Sequence, residues 1–341
     1  MFKFEIGGIP AIFAKFFALT DREMVKGAIP EGTQRAIFVD TGATPVLAET
    51  ISMLVECGVE VVVRDHHRGE GRTPEAAERI EAILGGNARI VTRDESPACA
   101  GLVELGEFAS EGTVIVADPD LDGLTAAMKA AGVTYPGLDA DAEIFDVRPK
   151  QTAKTLTALG WTAVRALSTL PPFNKERPEV SENAKRDLFA RFVAAAQGDE
   201  NAREELESSV AAYEAGVAEA ERLLAEKMSH PCKGVVMIDS VGAARSDLNT
   251  LTRGMETAGA IVTVVRKDFG PIAGKPGGHG IQYSLAVVRD HQKEMDLRDL
   301  VPEGMESSPE AGLLSNTSFL LHCSEGVWEE TILPGLRARL G

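Results

Sequence analysis

A chain of 341 residues is longer than one hydrophobic core usually serves, so two domains are expected, with a cleft between them open to chemistry. A formal charge of −17 argues against gripping long nucleic acid through many phosphate contacts, and a polyanionic substrate would need local positive charge, which metal ions can supply. No apolar run approaches the roughly 20 residues that span a bilayer, and the first residues, Met1-Phe2-Lys3-Phe4-Glu5-Ile6, lack a secretory core, so a cytoplasmic protein with no membrane partner is expected.

In chain order, Gln34 to Asp40 reads as a short buried strand ending in an acid. Pro45 to Cys57 carries a helical pattern, and the β-branched run Val59 to Arg64 ends in Asp65-His66-His67. A third apolar strand, Thr113 to Ala117, runs into Asp118-Pro119-Asp120-Leu121-Asp122-Gly123, ahead of an alanine-rich helix from Leu124 to Ala131. Repetition of strand, helix and strand predicts a parallel sheet covered on both faces. In such sheets ligands sit outside the carboxyl ends of the strands, so the three polar clusters are expected to converge.

From about Lys150 to His230 alanine, glutamate and arginine dominate, and Asn201 to Met228 has almost no helix breaker apart from Gly216. A helix joining two domains is expected there. Such a connector permits hinge closure or association into a homo-oligomer. Strands at Gly234 to Asp239 and Ala260 to Val265, with a helix from Leu248 to Ala258 between them, restart an α/β pattern. The expected division is therefore 1–195, a helical connector 196–229, and a smaller α/β domain 230–341. Cys57, Cys99, Cys232 and Cys323 are scattered without a C-x-x-C spacing and read as buried thiols in a reducing compartment.

The alternating acids Asp118, Asp120 and Asp122 before Gly123 resemble the opening of a calcium-binding hand, but Lys129 stands where the bidentate glutamate would be and a strand precedes the loop. One aspartate would serve to cap the following helix. Three acids at one strand end repel one another unless a cation sits among them. Adjacent histidines in extended chain point in different directions, so one of the pair can ligate a metal while its neighbour faces a substrate. With Asp40, these residues form a hard oxygen and nitrogen donor set suited to Mn²⁺ or Mg²⁺.

Val39-Asp40-Thr41-Gly42, Arg64-Asp65-His66-His67 and Glu95-Ser96-Pro97-Ala98-Cys99-Ala100 together resemble the DHH phosphoesterase superfamily, and Pro276-Gly277-Gly278-His279-Gly280 resembles the glycine-rich histidine loop of its associated substrate-binding domain. The resemblance implies a parallel-sheet DHH-type domain joined by a helical connector to a smaller α/β domain, and manganese-dependent hydrolysis of phosphodiester or phosphoanhydride bonds. It further implies metal ligation by Asp40 and His66, a phosphate-facing His67 and a site-orienting Asp65. The family's H-x-x-x-D-x-D motif has no counterpart before residue 40; Asp118, Asp120 and Asp122 resemble it but follow the D-H-H run, and its leading histidine would fall at Val116.

In the second domain, the glycines at Gly277 and Gly278 would let backbone N–H groups approach an anion, His279 would donate to a phosphate, and Arg266, at a strand end, would bind one bidentately. The expected activity is metal-assisted hydrolysis of short oligonucleotides or dinucleotides. Its alternatives are a phosphoanhydride or nucleoside-phosphate hydrolase and a nucleotide binder without turnover.

Overall fold

The chain folds as two compact units, Met1–Val210 and Ala211–Gly341. The computed structural model describes residues 1–15, 17–19, 21–68, 75–146, 155–171, 178–271, 279–292, 294–301, 315–316 and 320–341.

In the first unit the described elements run β1 (Phe2–Ile6), β2 (Ile9–Phe13), α1 (Arg22–Ala28), β3 (Arg35–Val39), α2 (Pro45–Glu56), β4 (Glu60–Asp65), α3 (Glu75–Leu84), β5 (Ala88–Ile90), β6 (Thr113–Ala117), α4 (Leu121–Ala130), α5 (Leu138–Asp146), α6 (Ala158–Thr169), α7 (Pro178–Ala196) and α8 (Glu200–Glu207). The sheet has the order β1-β2-β6-β3-β4-β5, parallel throughout except for the β1–β2 hairpin. Successive strand residues serve opposite faces. Ile37, Val39, Ile115 and Ala117 pack beneath α4, α6, α7 and α8, whereas Ala36, Phe38, Val114 and Val116 pack beneath α1, α2 and α3. Burying a side chain such as Phe38 or Ile115 contributes roughly 1.5–3 kcal/mol, so both faces of the sheet anchor it and its strand ends are held rigidly. The sheet is the expected one, with an N-terminal hairpin added at its edge.

A fully buried carboxylate, Asp141, locks α5 to the start of α6. It accepts from the Tyr135 hydroxyl at 2.9 Å, from Thr157 N at 2.7 Å and from the Thr157 hydroxyl, so its charge is satisfied by donors.

The second unit takes α9 (Val210–Glu226), β7 (Met228–Cys232), β8 (Val235–Asp239), α10 (Leu248–Thr257), β9 (Val262–Pro271), β10 (His279–Val287), β11 (Ser315–Asn316), β12 (Leu320–Ser324), α11 (Glu325–Val327), a π-helical turn at Trp328–Ile332 and α12 (Leu333–Leu340). Its sheet is mixed, in the order β11-β12-β10-β9-β8-β7, with β8 and β9 parallel. One face packs on Trp328, Ile332 and Leu336, the other on Leu223, Leu251 and Met255.

Two sequence expectations change. The single long helix is two, because the hydroxyls of Ser208 and Ser209 donate to the carbonyls of Glu205 and Leu206 at 2.7 and 2.6 Å, where α8 ends before α9 begins. Of the cysteines expected to be buried, Cys57 is exposed at the C-terminus of α2 and Cys232 is half-buried; Cys99 and Cys323 are buried. Among the described residues, no helix is long and apolar enough to cross a membrane.

Candidate functional site

Sheet register brings the acids together. Val39 lies opposite both Arg64 and Ala117, so Asp40, Asp65 and Asp118 stand level at the carboxyl ends of β3, β4 and β6. The next strand over, β2, pairs Phe13 with Ala117, so the fourth position in this row is Ala14, followed by Lys15. That strand end contributes a cation to the row and no carboxylate.

His66 is wholly buried between two carboxylates. Its Nε2 lies 3.2 Å from Asp40 Oδ1 and 3.2 Å from Asp122 Oδ2. Its Nδ1 lies 3.1 Å from the Ser96 carbonyl, which can only accept, so Nδ1 carries the proton and in the neutral ring Nε2 presents a lone pair to two anions. Asp40 Oδ1, His66 Nε2 and Asp122 Oδ1 are buried and make no hydrogen bond, whereas His67, whose Nε2 faces the Arg93 guanidinium, carries its proton on Nδ1, 3.3 Å from Asp65 Oδ1. Acceptors facing acceptors in a dry site are unfavourable unless a cation or an added proton lies between them. The donor set fits a hard divalent ion: carboxylate oxygens, one imidazole and no thiolate. Two overlapping groups, Asp40 with His66 and His67, and His66 with Asp122 and Asp146, each bring ligand atoms within 4.8 Å of one another.

Titration follows from this geometry. Burial holds the Asp40 carboxyl well above the usual carboxylate range, and the charges of Asp122, Asp120, Asp65 and Asp118 add to the effect. Asp65, equally buried, goes the other way. Burial raises it, but the hydrogen bonds and charge of His67 and the backbone N–H of Gly42 outweigh that, leaving it below the usual range. Its Oδ1 accepts from His67 N at 2.7 Å and its Oδ2 from Gly42 N at 2.6 Å. For His66 burial lowers the pKa, but Asp122 and the Ser96 carbonyl overcome it and the net shift is upward.

Asp40 has φ of 57°, the only described non-glycine residue in the left-handed region. Aspartate tolerates this conformation better than most residues, and here it turns the carboxylate in over the ends of the strands.

Asp122 sits in the first turn of α4, and one of its oxygens, Oδ2, accepts from Cys99 N at 3.1 Å. Asp120 is the exposed N-cap of the same helix, its Oδ1 accepting from Gly123 N at 2.8 Å, and therefore fills the capping role. Asp118 is half-buried, its carboxyl pushed up to about 6 by burial and Asp120 against the opposing pull of Lys15, His67 and Lys185. Of the three alternating acids, Asp122 alone reaches His66.

Gly123 lets α4 begin this close to β6, because a Cβ there would run into the Asp118 carbonyl oxygen. Gly123→Ala is expected to destabilise the protein by about 1–3 kcal/mol, the usual range for overpacking, as read by urea unfolding. Unchanged stability would show that the start of α4 yields without penalty.

Four further groups belong to the site and escaped sequence reasoning: Arg93, Asp146, the Ser96 carbonyl and the Cys99 amide. Arg93 places Nη2 2.8 Å from His67 Nε2 and pairs through Nη1 with Asp146, the last residue of α5. The Glu95 to Ala100 segment offered a signal for the two backbone groups; Arg93 and Asp146 carried none.

In the second unit, Arg266 lies within β9 and not at a strand end, because that strand continues to Pro271 and pairs Arg266 with Tyr283. Its guanidinium donates to Asp239 Oδ2 at 2.9 Å and Glu325 Oε1 at 2.8 Å. Gly277 and Gly278 lie outside the described residues; His279 begins β10, and its side chain is likewise outside them.

No family model matches the chain, and no curated protein does. Among solved structures, a DHH-domain chain described as a member of a family of ribosomal proteins is similar with a TM-score of 0.39 and 14% identity over 89% of this chain and 68% of that one. An uncharacterized protein from Helicobacter pylori G27 is similar with a TM-score of 0.21 and 12% identity over 86% of this chain and 93% of the other.

Proposed function

We propose that this protein is a metal-dependent phosphoesterase of DHH type that hydrolyses phosphodiester bonds of short oligonucleotides or dinucleotides. The observation that carries the reading is the buried His66 Nε2, 3.2 Å from each of two carboxylates, with unpartnered acceptors around it. Asp40, His66 and Asp122 would hold Mn²⁺, with Mg²⁺ as the substitute ion. Such an ion supplies Lewis-acid charge to a phosphoryl oxygen and acidifies the attacking water.

The chain's own residues would do the rest. Asp65, fixed by Gly42 N and His67 N, orients the histidine pair. His67, itself half-buried, faces the phosphate, and Arg93, 2.8 Å from its Nε2, adds positive charge at the same place. Asp118, with its carboxyl near 6, and Asp120, which lies against Asp40, would add further carboxylates to the metal seat. Substrate binding by Arg266, Gly277, Gly278 and His279 belongs to the same reading. The net charge of −17 favours short substrates over long nucleic acid.

The test is hydrolysis of a length series of oligonucleotides, dinucleotides, nucleoside phosphates and pyrophosphate with Mn²⁺ and with chelator, using His66→Ala protein to exclude contaminating nuclease. Mn²⁺-dependent cleavage of short phosphodiesters that the variant lacks is expected. Cleavage of pyrophosphate alone would move the substrate to phosphoanhydrides. Metal binding without turnover of anything in the series would move the function to nucleotide binding.

A further inference from the structure

Two lysines at this end of the sheet are left unused by the chemistry above. Lys15 follows β2, and the N–H of its neighbour Ala14 donates to the Ala117 carbonyl at 3.1 Å, which keeps Lys15 beside the end of β6. Lys185 comes from α7, is half-buried, and donates through Nζ to the Pro119 carbonyl at 2.9 Å. Both lysines, with His67, act on the Asp118 carboxyl. They also act on each other: burial draws the Lys185 pKa down, Asp120 and Asp118 oppose that, and the charge of Lys15 adds to it. Of its three donors Lys185 uses one, on a neutral carbonyl, and closes on neither carboxylate. A lysine serving only as a counter-ion would close on one, as Lys129 does on Asp139 at 2.8 Å. Lys185 therefore keeps two N–H groups open to an anion from outside the chain, with a second ammonium nearby.

The lysines lie away from the cation seat. In the order β2-β6-β3-β4 the end of β2 is two strand spacings, roughly 10 Å, from the end of β3 that carries Asp40, and His67 follows β4 on the far side of β3. A phosphate at the lysines is therefore a neighbour, on the same chain, of the phosphate at the cation. We infer that Lys185 and Lys15 bind the phosphate adjacent to the scissile one, and that the preferred substrate is a dinucleotide or short oligonucleotide carrying a terminal phosphate. This rests on the phosphoesterase reading of the first unit and narrows its substrate. Ammonium groups provide charge without a fixed fork geometry, so they hold a phosphate whatever base accompanies it. A dinucleoside monophosphate has no second phosphate to offer them.

Binding and turnover test separate claims. Full-length wild-type, Lys185→Gln, Lys185→Arg and Lys15→Gln proteins would be titrated by calorimetry with a dinucleoside monophosphate and with its 5′-phosphorylated and 3′-phosphorylated forms, in chelator so that no turnover occurs. Wild type should bind one phosphorylated form about tenfold or more tighter than the parent, as a charge-assisted contact provides. Lys185→Gln should abolish that preference and Lys185→Arg should retain it, while Lys15→Gln, at an exposed position, should reduce it about threefold. Equal binding of all three ligands by wild type, including no binding, overturns the inference. So does a uniform loss in Lys185→Gln with the preference kept, which would assign the lysine to holding the Pro119 loop. If Lys185→Gln fails to fold, Lys15→Gln decides alone, and an unchanged preference there overturns the inference. Mn²⁺-dependent hydrolysis of the same ligands is the separate check: a phosphate preference without turnover sinks the phosphoesterase reading and leaves the lysine site standing, whereas turnover without a preference does the reverse.

Discussion

Asp40→Asn is expected to stabilise the metal-free protein while lowering Mn²⁺-dependent hydrolysis by about a thousandfold, the equivalent of several kcal/mol of transition-state charge stabilisation. The same carboxylate is responsible for both effects. It is 3% exposed, its Oδ1 has no hydrogen-bond partner, and it shares the site with Asp122, Asp120, Asp65 and Asp118. A neutral isostere removes that repulsion, for a gain of about 0.5–2 kcal/mol, typical where a functional site is strained. Asparagine also tolerates the left-handed backbone at this position, so the substitution does not add conformational strain.

The pH dependence has a definite sign. Asp40 has a raised pKa in the fold, so its contribution is favourable at low pH and is lost as pH rises through the folded value. His66, also raised, is stabilising below its unfolded pKa and loses that contribution as pH rises through its own folded value. Both slopes run the same way, from acid toward neutral and alkaline pH. Thermal unfolding in chelator should show the wild type losing stability as pH rises and Asp40→Asn losing less. Identical slopes would mean that Asp40 is not the repelled carboxylate the geometry describes.

Asp65→Ala should do the opposite to stability, lowering it by about 1–3 kcal/mol even without metal, since it removes the acceptor of two part-buried donors. Asp65 is as deeply buried as Asp40, but its oxygens accept from Gly42 N and His67 N, the two N–H groups that truncation leaves without a partner. Asp65 has a lowered pKa, so its stabilisation is present above the ordinary carboxylate value and disappears as pH falls through the folded one. Urea unfolding near neutral pH, compared with the same measurement at acid pH where wild-type Asp65 is protonated, separates this from a simple packing loss. A variant as stable as wild type at neutral pH would refute the orienting role.

These two aspartates show what the sequence made legible. Both were readable as strand-end acids, because short apolar runs rich in Val and Ile fix where β3, β4 and β6 stop, and register then sets the acids level. Their opposite electrostatic character was not readable, since it depends on which backbone N–H groups each one meets. The Ser96 carbonyl and Cys99 amide illustrate the same limit: the Glu95 to Ala100 segment was legible as part of the site, but which of its backbone groups would meet His66 and Asp122 was not. Asp146 was hidden among Asp139, Asp141 and Glu143, and only the folded path of α5 selects it. The hairpin is a different matter. Phe2-Lys3-Phe4-Glu5-Ile6-Gly7-Gly8-Ile9 carries strand alternation and a two-glycine turn, with φ of 57° and 80° at the glycines, so its pattern was present and unread. Arg266 was misplaced because the strand signal was ended at Val265, whereas pairing with β10 carries it on to Pro271.

The position of β6 also sets an order of assembly. It enters the sheet between β2 and β3, pairing Ala11 with Ile115 and Arg35 with Thr113, after more than half of the first unit has been synthesised. Until it inserts, Asp122 and Asp146 have no fixed relation to Asp40 and His66, so a nascent chain has no cation seat to fill. The closure of loops this long is slow and is driven by burial of Val114, Ile115 and Val116, not by ligation. A bound ion would therefore act after the folding barrier, lengthening the lifetime of the folded unit without hastening its formation.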